Sequence, residues 1–71
     1  MNKPFGRQDI RHRILVNGDV YLDDLKHNEV QRFYNLTVAD LKDGEQATVQ
    51  QFNYVLDWSD RTFKDVTAAY N

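Results

Sequence analysis

The chain has 71 residues, no cysteine and a formal net charge of −2. That length makes one small domain (residues 1–71), burying only about 60% of its unfolded surface, and it excludes disulfides and thiolate metal sites as reinforcement. A hydrophobic content of 41% with three Gly and one Pro supports a folded chain rather than a disordered one.

The charge is unevenly placed. Residues 1–13 carry Lys3, Arg7, Arg11 and Arg13 against Asp9, while the remainder is acidic on balance. A basic arm beside an acidic body bears on partners rather than on fold. Residues 1–6 read as a flexible lead: Pro4 and Gly6 interrupt regular structure, and Phe5 is expected to dock on the domain. This stretch lacks the apolar core of a secretory leader. The longest aliphatic run, Ile14-Leu15-Val16, is too short to span a bilayer. The expectation is a cytoplasmic protein with no membrane segment, whose Asn35-Leu36-Thr37 sequon goes unused.

The strongest local signal is Asn17-Gly18, set between Ile14-Leu15-Val16 and Val20-Tyr21-Leu22. Asn-Gly supplies the two positive φ angles of a type I′ turn, so residues 9–16 and 19–25 read as a hairpin. A two-residue loop opposes Val16 to Asp19, Leu15 to Val20, Ile14 to Tyr21, His12 to Asp23, Arg11 to Asp24 and Ile10 to Leu25. Apolar then meets apolar and base meets acid, as favourable cross-strand pairs should.

Lys26-His27-Asn28 suits a turn. The segment 29–42 is ambiguous. Val30, Tyr34, Leu36 and Val38 fit a two-residue period, whereas Val30, Phe33, Tyr34 and Leu41 share a helical face. Its β-branched and aromatic content favours a strand. Asp43-Gly44 then reads as a second hairpin turn, with Lys42 facing Glu45. The competing reading is a single helical turn capped by Thr37 and ended at Gly44.

Over 46–58, Phe52, Tyr54, Leu56 and Trp58 alternate with Asn53, Val55 and Asp57, a clear strand pattern. Ser59 is a good helix N-cap. Phe63, Val66 and Tyr70 follow at helical spacing, which predicts a short amphipathic helix over 60–70. The β-branched Thr62, Val66 and Thr67 leave a further strand open there. The resulting fold class is α+β and β-rich: an antiparallel meander of about four strands with a short C-terminal helix. The alternative is a five-stranded small β-barrel.

Catalytic chemistry finds little support. His12 already has Asp23 as a cross-strand partner, and His27 sits in a polar turn. Asp23 and His27 would share a face if that segment were helical, but two candidate ligands do not make a metal site. Ser59 lacks the Gly-x-Ser-x-Gly setting of a nucleophile, and the three glycines are isolated rather than grouped into a phosphate loop. The pairs Asp23/Asp24 and Asp57/Asp60 read as turn and cap residues. No enzyme activity, cofactor or metal is expected.

Surface chemistry is more informative. Four Phe, four Tyr and one Trp exceed what one small core can bury. Surface aromatics are favoured anchors for protein partners. The expected function is therefore a small non-catalytic protein-interaction module: an adaptor, inhibitor or structural accessory subunit, of the size that phages and plasmids encode. It would act through an acidic, aromatic surface or a sheet edge, with self-association as one form of binding. Trp58, flanked by Asp57 and Asp60 and following Tyr54, is the candidate anchor; a place in the core is its other reading. The alternative is a single-stranded nucleic-acid-binding domain using Lys3, Arg7, Arg11 and Arg13, with Tyr21 or Trp58 as stacking platforms. A sequence pI near 5.5 argues against it.

Overall fold

The computed structural model describes residues 10–53 and 62–71. Four antiparallel strands form one open sheet: β1 (Ile10–Val16), β2 (Asp19–Lys26), β3 (Ala47–Asn53) and β4 (Phe63–Asp65). The spatial order is β2-β1-β3-β4. A 13-residue helix, α1 (His27–Ala39), joins β2 to β3 across β1. Because β2 and β3 both run antiparallel to β1, α1 is a crossover between strands of the same direction. The β-rich α+β class with about four antiparallel strands is therefore present. The sheet is open at β2 and β4, so the barrel alternative is not formed.

The first turn is as the sequence predicts. Asn17 and Gly18 both have positive φ, 52° and 86°, as type I′ geometry requires. Asn17 also latches the turn to the start of β3: its N–H donates to the Gln46 carbonyl (2.9 Å), and its Oδ1 accepts from the Gln46 N–H (3.0 Å). The pairs Val16↔Asp19 and Leu15↔Val20 match expectation.

Beyond them the register slips twice. Ile14 opposes Leu22 rather than Tyr21, His12 opposes Leu25 rather than Asp23, and Arg11 opposes Lys26 rather than Asp24. Each slip inserts one residue into β2, as a β-bulge does. Asp24 marks the second with φ 59°, and its N–H donates to Asp23 Oδ1 (2.7 Å). The reason is packing. Leu22 and Leu25 are three apart, so an uninterrupted strand would send them to opposite faces. A bulge between them turns both toward the helix, where Leu25 joins the core and Leu22 packs against it.

The expected strand within 29–42 is instead α1. Lys26 precedes it without an acceptor side chain, but Glu29 reaches back to accept the Lys26 N–H (2.9 Å), half of a capping box. Val30, Tyr34 and Thr37 make the buried face, with Phe33 beside them. The Thr37 hydroxyl donates to the Phe33 carbonyl one turn back (2.8 Å), so its burial is satisfied.

Asp43-Gly44 is a turn but not a hairpin turn. The Glu45 N–H donates to the Lys42 carbonyl (3.0 Å), and only Gly44 has positive φ (86°). That pattern belongs to a type II turn rather than type I′, and it leads from α1 into β3.

The predicted C-terminal helix is also corrected. Residues 60 and 61 lie outside the described residues; residues 63–65 are β4, and Thr67–Ala69 form a 3-10 turn. The β-branched Val66 and Thr67 suit this arrangement. Thr67 ties it down: its hydroxyl oxygen accepts the Val49 N–H (2.8 Å) and donates to Asp65 Oδ1 (2.7 Å). The chain then crosses to α1, where Tyr34 Oη donates to Asn71 Oδ1 (2.7 Å) and Gln31 Nε2 donates to the Tyr70 carbonyl (3.2 Å).

The core is Ile14, Leu25, Val30, Tyr34 and Val49, between sheet and helix, with Val66 and Tyr70 packed against it. Arg11, Arg13 and Leu15 alternate onto the opposite face of β1, which is helix-free among the described residues.

Candidate functional site

Three places in the described structure gather groups that could act. The first is an aromatic and imidazole cluster beneath the helix. His12 lies on the helix-side face of β1 and is 1% exposed. His27 opens α1 with its ring centroid 6.1 Å away, and Tyr70 meets His12 edge-on, also at 6.1 Å. Tyr70 Oη lies 3.4 Å from His12 Nε2, while His12 Nδ1 is buried without a hydrogen-bond partner. Burial, then repulsion from His27, lowers the His12 pKa below its ordinary value. The expected Asp23 partner is absent because the bulges carry Asp23 away from this position.

The second is a cleft of about 150 Å³ between β2 and α1. Tyr21, Leu22, Phe33 and Leu36 supply its apolar lining, and Thr37 and Asp40 complete it. The first bulge places Tyr21 here. Tyr21 is 57% exposed and Leu36 is 55% exposed, large values for apolar side chains in so small a domain. The cleft is smaller than the ~300–1,000 Å³ of small-molecule pockets and suits one or two inserted side chains. Asp40 places a carboxylate in its lining, and β2 beside it carries the exposed Asp19, Asp23 and Asp24. Arg32, stacked over Phe33 at 5.3 Å, is the nearby cation.

The third is the helix-free sheet face. Arg13 stacks on Phe63, with its guanidinium carbon 3.6 Å from the ring centroid, and its Nε donates to Gln50 Oε1 (2.7 Å). Phe63 in turn meets the buried Phe52 at 5.2 Å. Arg11 is 3.9 Å from Asp24. Arg11 and Arg13, two of the four basic residues of the proposed nucleic-acid footprint, thus sit on one face, each already engaged within the chain. The other two, Lys3 and Arg7, lie outside the described residues.

Trp58, Asp57, Asp60 and Tyr54 also lie outside the described residues, as do the 1–6 lead and Phe5. From the sequence, Leu36 falls in a strand period and is missed as a site residue, and Tyr21 has a site role only as a stacking platform for nucleic acid. The signal that finds them is a surplus: Leu36 fits the strand period but not the helical face. Among the described residues, no group of three or more His, Cys, Asp or Glu could hold a metal ion. No helix among them is long and apolar enough to cross a membrane.

Compared with known proteins, the chain matches no family model, no curated sequence and no solved structure.

Proposed function

We propose that the chain is a small, non-catalytic protein-interaction module that docks its partner at the β2–α1 cleft. The observation that carries this reading is the exposure of Tyr21 and Leu36 side by side over an apolar floor of Leu22 and Phe33. Folding gains little from leaving two large apolar side chains in water, whereas anchors of this kind dominate protein interfaces. The partner presents an apolar side chain flanked by basic groups, complementary to Asp19, Asp23 and Asp40. Trp58 within its acidic flanks is a second anchor proposed from sequence.

The test compares capture of partners from a source-cell extract by the unaltered chain, by Leu36→Asp and by Phe63→Ser. Thermal melts confirm that each variant folds. A protein retained by the unaltered chain and by Phe63→Ser, but lost with Leu36→Asp, is the expected outcome. A captured set unaffected by Leu36→Asp overturns the reading. Retention of nucleic acid lost with Phe63→Ser would instead favour the helix-free face and its arginines.

A further inference from the structure

The His12 cluster is separate from the docking cleft and has its own logic. His12 is pinned from four sides. Leu25 of β2 and Gln51 of β3 flank it in the sheet, His27 stands at the start of α1, and Tyr70 closes the remaining side from the C-terminal segment. Of these four neighbours, only His27 and Tyr70 carry ionisable groups, and Tyr34 lies behind Tyr70 with ring centroids 6.3 Å apart. His27 is the neighbour whose charge reaches the His12 ring.

We propose that His12 is a proton-sensitive latch for the C-terminal segment: protonation of its ring releases Tyr70 and Asn71 from the helix-covered face. A neutral imidazole donates from one nitrogen and accepts at the other. Tyr70 Oη serves Nε2 in either tautomer, and Nδ1 is left alone. An imidazolium has two donors and a charge. Its Nδ1–H has no acceptor, and its charge is held away from water beside a second imidazole. A buried ion without a partner costs several kcal/mol, so the ring must be hydrated to keep the proton.

The way out is set by what can move. The strand neighbours and α1 belong to the sheet and core. The last two residues are held by the Tyr34 hydroxyl, the Gln31 amide, the Tyr70 N–H to Thr67 carbonyl bond and ring contact. Weakly held termini open first in local unfolding. Lifting Tyr70 gives the His12 ring water and uncovers Tyr34. A chemical signal near neutral pH therefore controls access to an apolar surface, as other histidine switches do.

The test is amide hydrogen exchange and imidazole NMR titration of the full chain. On going from about pH 7.5 to about pH 5.5, protection of the Ala69 and Tyr70 amides, corrected for intrinsic rates, should fall by up to about tenfold per pH unit once pH drops below 6.5, levelling off at the lower pKa that His12 has in the closed chain, while Val30 and Tyr34 stay protected. His12→Phe should abolish the effect. His27→Asn should shrink it without abolishing it, because His12 loses its repelling neighbour and its pKa in the closed chain rises toward 6.5 while burial still lowers it. Tyr70→Ala, which needs no substitution in the sheet, should return the His12 pKa toward 6.5. The proposal is overturned if the release survives in folded His12→Phe, if it follows His27 instead, or if Tyr70→Ala leaves the His12 titration unchanged.

Discussion

At the scale of single residues, the hairpin shows how much two positions can specify. Gly18 has φ 86°, and open space lies where its Cβ would stand. A side chain there meets no neighbour, so its cost is conformational. Left-handed backbone costs an ordinary L-residue about 1–2 kcal/mol, and β-branching adds to that. Gly18→Val should therefore cost about 1–2 kcal/mol or more, read as a lower urea midpoint with an unchanged slope. Asn17→Ala removes a residue that tolerates positive φ and also the acceptor for the Gln46 N–H. Its expected cost is about 1–2 kcal/mol, combining backbone strain with one solvent-accessible hydrogen bond. A null effect of Asn17→Ala would show that the latch to β3 contributes nothing.

At the scale of elements, identical chemistry in two places separates folding from function. Leu25 is core and Leu36 is exposed. Leu25→Ala should cost about 2–5 kcal/mol, whereas Leu36→Ala should stay within about 0.5 kcal/mol. Equal losses by chemical denaturation would mean that Leu36 supports the fold and is no docking residue. This contrast also explains what could be read from the sequence. The type I′ hairpin was legible because Asn-Gly acts locally. The bulges were not, because they answer to the helix above β2: Leu22 and Leu25 must both face it. In 29–42, Leu36 and Val38 completed an alternating pattern and hid the helical set Val30, Phe33, Tyr34 and Thr37. Both are exposed in α1, outside the buried face. The local helix signal was present in Glu29, three residues after Lys26, but Lys26 is an unusual N-cap. Apolar residues kept for a surface blur the periodicity that reports the fold. The C-terminal helix failed for a different reason. Pairing of Phe63 with Phe52 and capture of Thr67 by Val49 are tertiary, and they override a helical spacing of three residues.

At the scale of the whole molecule, the open sheet of the described residues has β2 and β4 at its edges and one face that α1 does not cover. Edge β2 carries Asp19, Asp23 and Asp24 and two irregularities in pairing, which are devices that discourage edge-to-edge association. Docking at the cleft therefore fits better than strand addition at β2. The helix-free face offers Arg11 and Arg13, but Gln50, Phe63 and Asp24 already engage them. A salt titration against labelled single-stranded DNA and RNA should accordingly show no submicromolar, salt-sensitive affinity; such an affinity would reverse the ranking of protein and nucleic-acid partners. Stability against pH tests the molecule as a unit, and its sign follows from two groups. The folded chain depresses the His12 pKa, so the unfolded chain takes up a proton first as pH falls through 6.5. Global stability should hold above that value and decline below it, until pH reaches the lower folded pKa. Asp65 acts further down. Hydrogen bonds from Thr67 favour its carboxylate and lower its pKa from 3.8, so its contribution is present above 3.8 and is lost as pH falls through the folded value. The acid profile should thus have two breaks. His12→Phe should flatten the first and spare the second, while Asp65→Asn should do the reverse. Melting temperatures collected between about pH 8 and pH 2 decide the matter: a first break that persists in His12→Phe would place the near-neutral titration elsewhere in the chain.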